Sequence, residues 1–339
     1  MDNGFSVGII GLGMFVPDNV LTNKDLEKMV DTSNEWIIKR TGISERRVLE
    51  KGRPSSDMAY IAAKKALEDA NILPEDVDLI IVATITPDYL TPSMACIVQD
   101  KLNAKKAAAF DLNAACTGFV YSMTVAEQFI KTGYYKNALI IGCDGLSKAV
   151  DWEDRNTCVL FGDGAGAAVL SAVEDGYGIR ASKTGAEGGM GKLLTLPCYH
   201  FDEVDMEKRI HQNKRVIWMG GNEVFKFAVK VMEQSTIDVM NQAGLCMDDI
   251  SLIIPHQANK RIIDGAAKRL KISNDRVIEN LSRYGNTSAA TIPIALYETY
   301  KANKIKNGDN IVLVGFGGGL TWAAVLIKWN KKDLEDKNE

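Results

Sequence analysis

Three polar residues stand where apolar, strand-like runs give way to helix-like runs, and their types suit acyl transfer. Cys116 lies in the segment Phe110–Val120, where an apolar strand ends and small residues lead into an amphipathic helix. A thiol at a helix N-terminus faces unpaired amides and the positive end of the dipole, which favour the nucleophilic thiolate. Ala114, Ala115 and Gly118 leave room beside it for a carbonyl. His256, in Ile253–Asn259, follows a second strand, at the edge where α/β sheets place ligands. Asn286, in Arg283–Ser288, precedes another helical run. A cysteine nucleophile needs a base or donor and something to hold a developing oxyanion. Gly315–Gly319 follows the strand Ile311–Val314, and consecutive glycines let the backbone approach a ligand and offer it amides. Each residue also has a plainer reading: a packing thiol, a hydrogen-bonded structural histidine, a turn asparagine.

The elements that must position these residues alternate along the whole chain. Val7–Ile10, Leu79–Ala83, Ala107–Leu112, Ala138–Gly142 and Ala165–Leu170 are short, apolar and β-rich. Asp57–Asn71 and Thr117–Lys131 read as helices, with Phe119, Met123, Ala126 and Ile130 on one face. Strands apolar on both faces belong in a sheet covered by helices, so the class is α/β. Sliding the sequence by 173 residues aligns three regions without a gap: 66–81 falls on 239–254 with five identities in sixteen, Asn113 on Asn286, and Asn137–Gly142 on Asn310–Gly315. One offset serving three regions predicts an internal duplication, two similar halves about a pseudo-twofold axis. The expected division is 1–176 and 177–331, with a charged tail over 332–339. Residues 198–215 are polar and read as an inserted loop. Under the offset His256 takes the place of Ala83, so corresponding loops of the two halves carry Cys116, His256 and Asn286 toward one pocket.

Composition narrows the class of function. The chain has 339 residues, 46% hydrophobic and 25% charged, with 40 Lys+Arg against 44 Asp+Glu and a net charge of −4. That balance argues against a general nucleic-acid or anionic-membrane binder. Its apolar runs fall short of the ~18 residues of a membrane span, and Met1–Gly4 lacks a basic leader, so a cytoplasmic enzyme is expected. The six cysteines are scattered without a C-x-x-C pair and only three histidines occur, which points to reduced thiols and no metal centre. Of the cysteines, Cys96 is placed mid-helix, and His200 and His211 look like surface residues of the insertion. Gly8, Gly11 and Gly13 lack the G-x-G-x-x-G spacing, so a nicotinamide site is rejected. Between Asn259 and Arg276, Lys260, Arg261, Lys268, Arg269, Lys271 and Arg276 face only two aspartates, a basic patch on an acidic chain.

Eight motifs carry a resemblance: Asp31–Ile37, Arg40–Ile43, Asn113–Gly118, Phe161–Ala167, Gly221–Phe225, Pro255–Asn259, Gly285–Ser288 and Gly315–Gly319. Over residues ~5–330 the chain resembles β-ketoacyl-acyl carrier protein synthase III, of the thiolase superfamily. The resemblance implies a duplicated thiolase-like fold layered αβαβα and a homodimer. It implies that Cys116 is acylated by an acyl-CoA, and that malonyl-acyl carrier protein is then decarboxylated. His256 and Asn286 would hydrogen-bond the malonyl thioester oxygen. The backbone amides of Cys116 and Gly318 would form the other oxyanion hole. Thr32, Trp36, Arg40, Arg155 and Asn222 would hold CoA, with Trp36 and Arg155 on either face of the adenine. Arg261, Lys268 and Arg269 would meet the acidic carrier protein. No cofactor is implied, because acyl-CoA is a substrate.

Two departures bear on specificity. Thr91 stands where many members carry phenylalanine, which reaches the partner's acyl pocket; the smaller residue predicts acceptance of acyl groups longer than acetyl, or branched ones. The loop before Gly220 looks longer than in compact members. A thiolase would carry a second cysteine in the last glycine loop, where this chain has Phe316–Gly318. The alternatives kept open are a related condensing enzyme of a specialised pathway and a non-catalytic scaffold subunit. The scaffold should have lost the nucleophile, which is present.

Overall fold

The computed structural model describes residues 5–198 and 215–331. The tail 332–339, the interior of the expected 198–215 insertion, and His200 and His211 lie outside the described residues.

Apolar runs set two sheets. The first comprises β1 (Ser6–Phe15), β4 (Leu79–Ala83), β5 (Ala108–Leu112), β6 (Ala138–Gly145) and β7 (Asp163–Val173), in the order β1-β7-β6-β4-β5. The second comprises β8 (Gly178–Ala186), β11 (Leu252–Pro255), β12 (Asn310–Gly317) and β13 (Thr321–Lys328), in the order β8-β13-β12-β11. Both share one pattern of direction: β4 runs parallel to β5 and β6, and β11 parallel to β12, while β7 and β13 run antiparallel to both their neighbours. The two-stranded pairs β2 (Val20–Thr22) with β3 (Glu45–Arg47) and β9 (Leu194–Thr195) with β10 (Trp218–Met219) stand apart.

Between the sheets lie α5 (Gly118–Lys131) and α9 (Thr291–Lys301). Outside the first sheet pack α3 (Ser55–Ala70) and α4 (Met94–Leu102), and outside the second α6 (Gly221–Ala243) and α7 (Lys260–Leu270). The shorter α1 (Asn23–Leu26), α2 (Asn34–Thr41) and α8 (Leu281–Tyr284) sit at the periphery of these layers. Alternation along β4 shows why five layers form: Leu79 and Ile81 join the central cluster with Phe119 and Leu313, whereas Ile80 and Val82 join the outer cluster under α3 and α4. The architecture is αβαβα.

The offset of 173 holds in space as in sequence, for β1 and β8, β4 and β11, β6 and β12, and the starts of α5 and α9. It fails at β5, whose counterpart is reduced to an isolated bridge between Ile253 and Val277. Two expectations need correction. Cys96 lies in the first turn of α4, not mid-helix, with its amide on the Ser93 cap. And β1 runs on to Phe15, because Gly11 and Gly13 belong to a strand that α3 crosses closely: a Cβ there would meet Ala66 O at 2.3 Å and Ala62 O at 2.2 Å.

Candidate active site

Cys116 is held by a turn that the chain makes twice. After β5 a single 3₁₀ turn, Ala115–Thr117, runs straight into α5; after α8 the turn Ser288–Ala290 runs straight into α9. Ala115 has φ 47° and Ser288 φ 51°, an unfavourable conformation for residues with a Cβ. An asparagine fastens each: Asn113 Oδ1 accepts Ala115 N at 3.4 Å, and Asn286 Oδ1 accepts Ser288 N at 2.8 Å. With its carbonyl oxygen so engaged, Asn286 keeps its amide Nδ2, a donor, for other use. Glycines let the turns close on the sheets. A Cβ on Gly317, at the end of β12, would meet Cys116 N at 2.7 Å, and one on Gly142, in β6, would meet Ala289 O at 2.2 Å.

Burial dominates the acid–base character. Cys116 is 8% exposed, and desolvation pushes its thiol up to about 12; the Ser288 hydroxyl opposes this and the Asp144 carboxylate adds to it. The resting residue at neutral pH is therefore the thiol, and the helix terminus does not overcome burial. Asp144 is itself buried and accepts Ile85 N at 2.8 Å, Thr86 Oγ1 at 2.8 Å and Thr84 Oγ1 at 3.0 Å. The Ser288 hydroxyl stands close enough to Cys116 and Asp144 to act on both, yet forms no hydrogen bond of normal geometry. His256 is 1% exposed, and burial holds it down to about 3, so it is neutral. Its backbone N donates to Val314 O at 2.8 Å, and its ring stands edge-on to Phe316 at 5.3 Å.

A cavity of about 1150 Å³ opens over Cys116 and is lined by Asn113, Ser288, Gly318 and Thr321. His256 and Asn286 stand behind this wall: a Cβ on Gly315 would touch His256 Cβ at 3.5 Å and Thr117 Cγ2 at 3.7 Å, and Phe161, on the wall, bridges to Asn286. The cavity's far end reaches the exposed Tyr89 and Leu90; Thr91 is exposed and off the wall.

Trp36, Arg40 and Arg155, three of the residues expected to hold CoA, gather elsewhere, at α2. The guanidinium groups of Arg40 and Arg155 lie 5.7 and 5.4 Å from the Trp36 ring centre. Arg155 also donates to Asp31 O at 2.8 Å. A base between Trp36 and Arg155 needs ~7 Å between them, two layers of van der Waals contact, so the sandwich is closed and Arg155 must withdraw to admit one. The Thr32 hydroxyl is buried without a partner, and Asn222 is exposed in the first turn of α6. Asn259 Nδ2 donates to Arg40 O at 3.1 Å, which ties this region to the start of α7. On and just after α7 the basic patch is partly spent: Arg269 pairs with Glu233, Lys260 with Asp264 at 2.9 Å, and Arg276, beyond the helix, donates to Met247 and Ile250 carbonyls. Arg261 lies over the Phe225 ring at 5.5 Å, and Lys268 is exposed.

Sequence reasoning gave no individual role to Gly317 and Ser288, which lie within its motifs, and missed Asp144 and Thr291. The repeat held a signal for two of them, since Ser288 falls on Ala115 and Thr291 on Gly118. No group of His, Cys, Asp or Glu among the described residues is placed to hold a metal, and no described helix is long and apolar enough to cross a membrane.

Residues 110–188 match the family model of 3-oxoacyl-[acyl-carrier-protein] synthase III, and residues 240–329 that of its C-terminal part. A beta-ketoacyl-[acyl-carrier-protein] synthase III of Caldanaerobacter subterraneus subsp. tengcongensis is 56% identical over 96% of this chain and 98% of its own. The crystal structure of 3-oxoacyl-[acyl-carrier-protein] synthase III from Aquifex aeolicus superposes with a TM-score of 0.88 at 51% identity, covering 95% of this chain and 100% of that one. The priming β-ketosynthase of the R1128 polyketide pathway gives a TM-score of 0.90 at 30% identity, with 98% of each chain covered.

Proposed function

The chain belongs to the β-ketoacyl-[acyl-carrier-protein] synthase III family, and we propose from that premise how its cavity works. The reaction is the decarboxylating condensation of an acyl-CoA with malonyl-acyl carrier protein, which starts fatty acid biosynthesis; the protein is an acyltransferase. Cys116 attacks the thioester, becomes acylated and releases CoA. Malonyl-acyl carrier protein then binds, loses CO₂, and its enolate attacks the acyl-cysteine. Asn286 Nδ2 and His256 stabilise the enolate oxygen, and the amides of Cys116 and Gly318 the oxyanion at the acyl carbon. Each such donor contributes about 3 kcal/mol at the transition state.

One observation carries the assignment: Asn286 fastens the same turn in the second half that Asn113, three residues before Cys116, fastens in the first, with Asn286 Oδ1 accepting Ser288 N at 2.8 Å and its donor left over. Decarboxylation supplies the carbanion without a strong base, which suits a site whose histidine stays neutral. Trp36, Arg40, Arg155, Thr32 and Asn222 bind CoA; Arg261, Lys268 and Arg269 receive the carrier protein. No cofactor takes part.

The protein acts as a homodimer in the cytoplasm, its halves 1–176 and 177–331 inactive apart. Supporting the dimer, β5 is an edge strand whose Ala108 and Phe110 are exposed, while β4 beside it is wholly buried. Thr91, beside the exposed Tyr89 and Leu90, reaches the partner's acyl pocket and leaves space for acyl groups longer than acetyl, or branched ones.

Mass spectrometry after incubation with mixed acyl-CoAs tests the reading. Cys116 acquires the acyl mass, Cys116→Ser acquires none, and Asn286→Ala acylates but does not condense. An unmodified Cys116 in a protein that condenses, or turnover with acetyl-CoA alone, refutes the nucleophile or the specificity respectively.

A further inference from the structure

The proton on the His256 ring is fixed by a residue outside the motifs discussed above. Thr291 opens α9, and its Oγ1 lies 2.7 Å from His256 Nδ1 and 3.0 Å from Ser288 O. A hydroxyl has one proton, and a carbonyl oxygen only accepts. The Thr291 proton therefore goes to Ser288 O, and Oγ1 takes its second hydrogen bond from the ring. Nδ1 must then carry the hydrogen. The opposite tautomer would turn the Thr291 proton to Nδ1 and leave two oxygens 3.0 Å apart with none between them. Because burial keeps the ring neutral, it holds a single proton, and Nε2 is left without one.

The duplication isolates this feature. His256 and Thr291 stand where the first half has Ala83 and Gly118. Those two are also neighbours, since a Cβ on Gly118 would meet Ala83 Cβ at 2.8 Å. One contact is thus kept in both halves, between an inert pair in the first and a hydrogen-bonded pair in the second.

We propose that Thr291 is a positioning residue that holds His256 as the Nδ1–H tautomer in the free enzyme, so that Nε2 enters the cycle as a proton acceptor. This rests on the reading above that His256 serves the reaction at Cys116. In acylation the thiol proton passes from Sγ to Nε2 as the Sγ–carbonyl bond forms. It passes from Nε2 to the CoA sulfur as the bond between the acyl carbon and that sulfur breaks, so the ring ends as it began. Donation to the malonyl thioester oxygen needs the other tautomer. Thr291 accordingly readies His256 for the first half-reaction, not the second.

Protein labelled with ¹⁵N in its histidines decides the matter, because only three histidines occur. The His256 signals are identified by their loss in His256→Gln. In the free protein Nδ1 is expected to show the protonated shift and Nε2 the unprotonated one. Thr291→Ser keeps this pattern, and Thr291→Val, of similar shape but without a hydroxyl, moves the proton toward Nε2. Thr291→Val should also slow single-turnover CoA release about tenfold or more, a loss typical of general-base catalysis, while condensation by enzyme already acylated is not slowed, because that step uses the tautomer the variant favours. A protonated Nε2 in the free wild-type protein overturns the proposal, as does an unchanged spectrum in Thr291→Val. Should Thr291→Val not fold, the wild-type and Thr291→Ser spectra still decide. Full turnover by His256→Ala would instead refute the underlying role of His256, and would leave the tautomer measurement standing.

Discussion

Gly317→Ala tests whether the end of β12 sets the position of the nucleophile. The added Cβ would lie 2.7 Å from Cys116 N and 3.1 Å from Cys116 Cβ. Ordinary contact begins near 3.4 Å, so turn and strand must part by about 0.7 Å. Neither can give easily: β12 is paired with β13 as far as Gly317 and with β11 as far as Val314, and the turn runs directly into the buried α5. A displacement of ~1 Å costs about 100-fold in a reaction that depends on alignment, so acylation should fall about 10- to 50-fold. Overpacking removes ~1–3 kcal/mol of stability, which a domain with ~5–15 kcal/mol in hand survives. Gly318→Ala is the matched control. Its Cβ meets Ala115 Cβ at 3.4 Å and Leu194 O at 3.5 Å, close to ordinary contact, so acylation should stay within about threefold. Both variants keep their backbone N–H, so the difference reports geometry and not a lost oxyanion donor. Rapid-quench measurement of CoA release reads the rates, and thermal melts confirm folding. Wild-type acylation by Gly317→Ala, or a larger loss in Gly318→Ala, would refute the reasoning.

Two further outcomes are expected. Because the His256 pKa falls from 6.5 unfolded to about 3 folded, its neutral burial stabilises the fold above pH 6.5, and that contribution is lost as pH falls toward 3. Between pH 7 and 4.5 the wild type should therefore lose about 2 to 3 kcal/mol more than His256→Gln in urea titrations; equal losses would mean that His256 is not buried neutral. Trp36→Ala should raise the KM for acyl-CoA about tenfold, as expected for losing a stacked base worth ~1–3 kcal/mol. An acyl-pantetheine thioester, which has no adenine, should keep its KM within about twofold, and an equal rise for both substrates would place the adenine elsewhere.

The strands of the first sheet and helices α3 and α5 are legible because period and composition agree over their lengths, as in α5, where every residue of the predicted face is buried, whereas β8 and β13 of the second sheet are not read from the sequence. The duplication was legible because its offset survives in residue identities. The boundaries of β1 were hidden by Gly11 and Gly13, which look like a loop until α3 is laid across them. Cys116, His256 and Asn286 announce themselves by type and place. Gly317, Ser288 and Thr291 do not, because their roles depend on contacts between segments about 170 residues or more apart, or on which atom a single hydroxyl faces. The protonation of Cys116 was misjudged for a related reason: helix-terminus electrostatics can be read from sequence, whereas the desolvation that outweighs it cannot.

Burial of this site looks at first like a handicap, since it leaves a protonated thiol and a weakly basic imidazole. The chemistry explains it. A low-polarity cavity disfavours the malonyl carboxylate as it disfavours any ion, so loss of CO₂ becomes easier where Cys116 and His256 become harder to charge. The oxyanion that results is the one charge the site is built to accept, and donors act most strongly on it where water is absent. Acylation must then proceed without a standing thiolate, which requires a proton acceptor aligned in advance, the arrangement that Thr291 imposes on His256. The duplication supplies the geometry for both demands. Asn113 and Asn286 fasten equivalent turns, while Ala83 and Ala289 keep the positions opposite His256 and Cys116 small and inert.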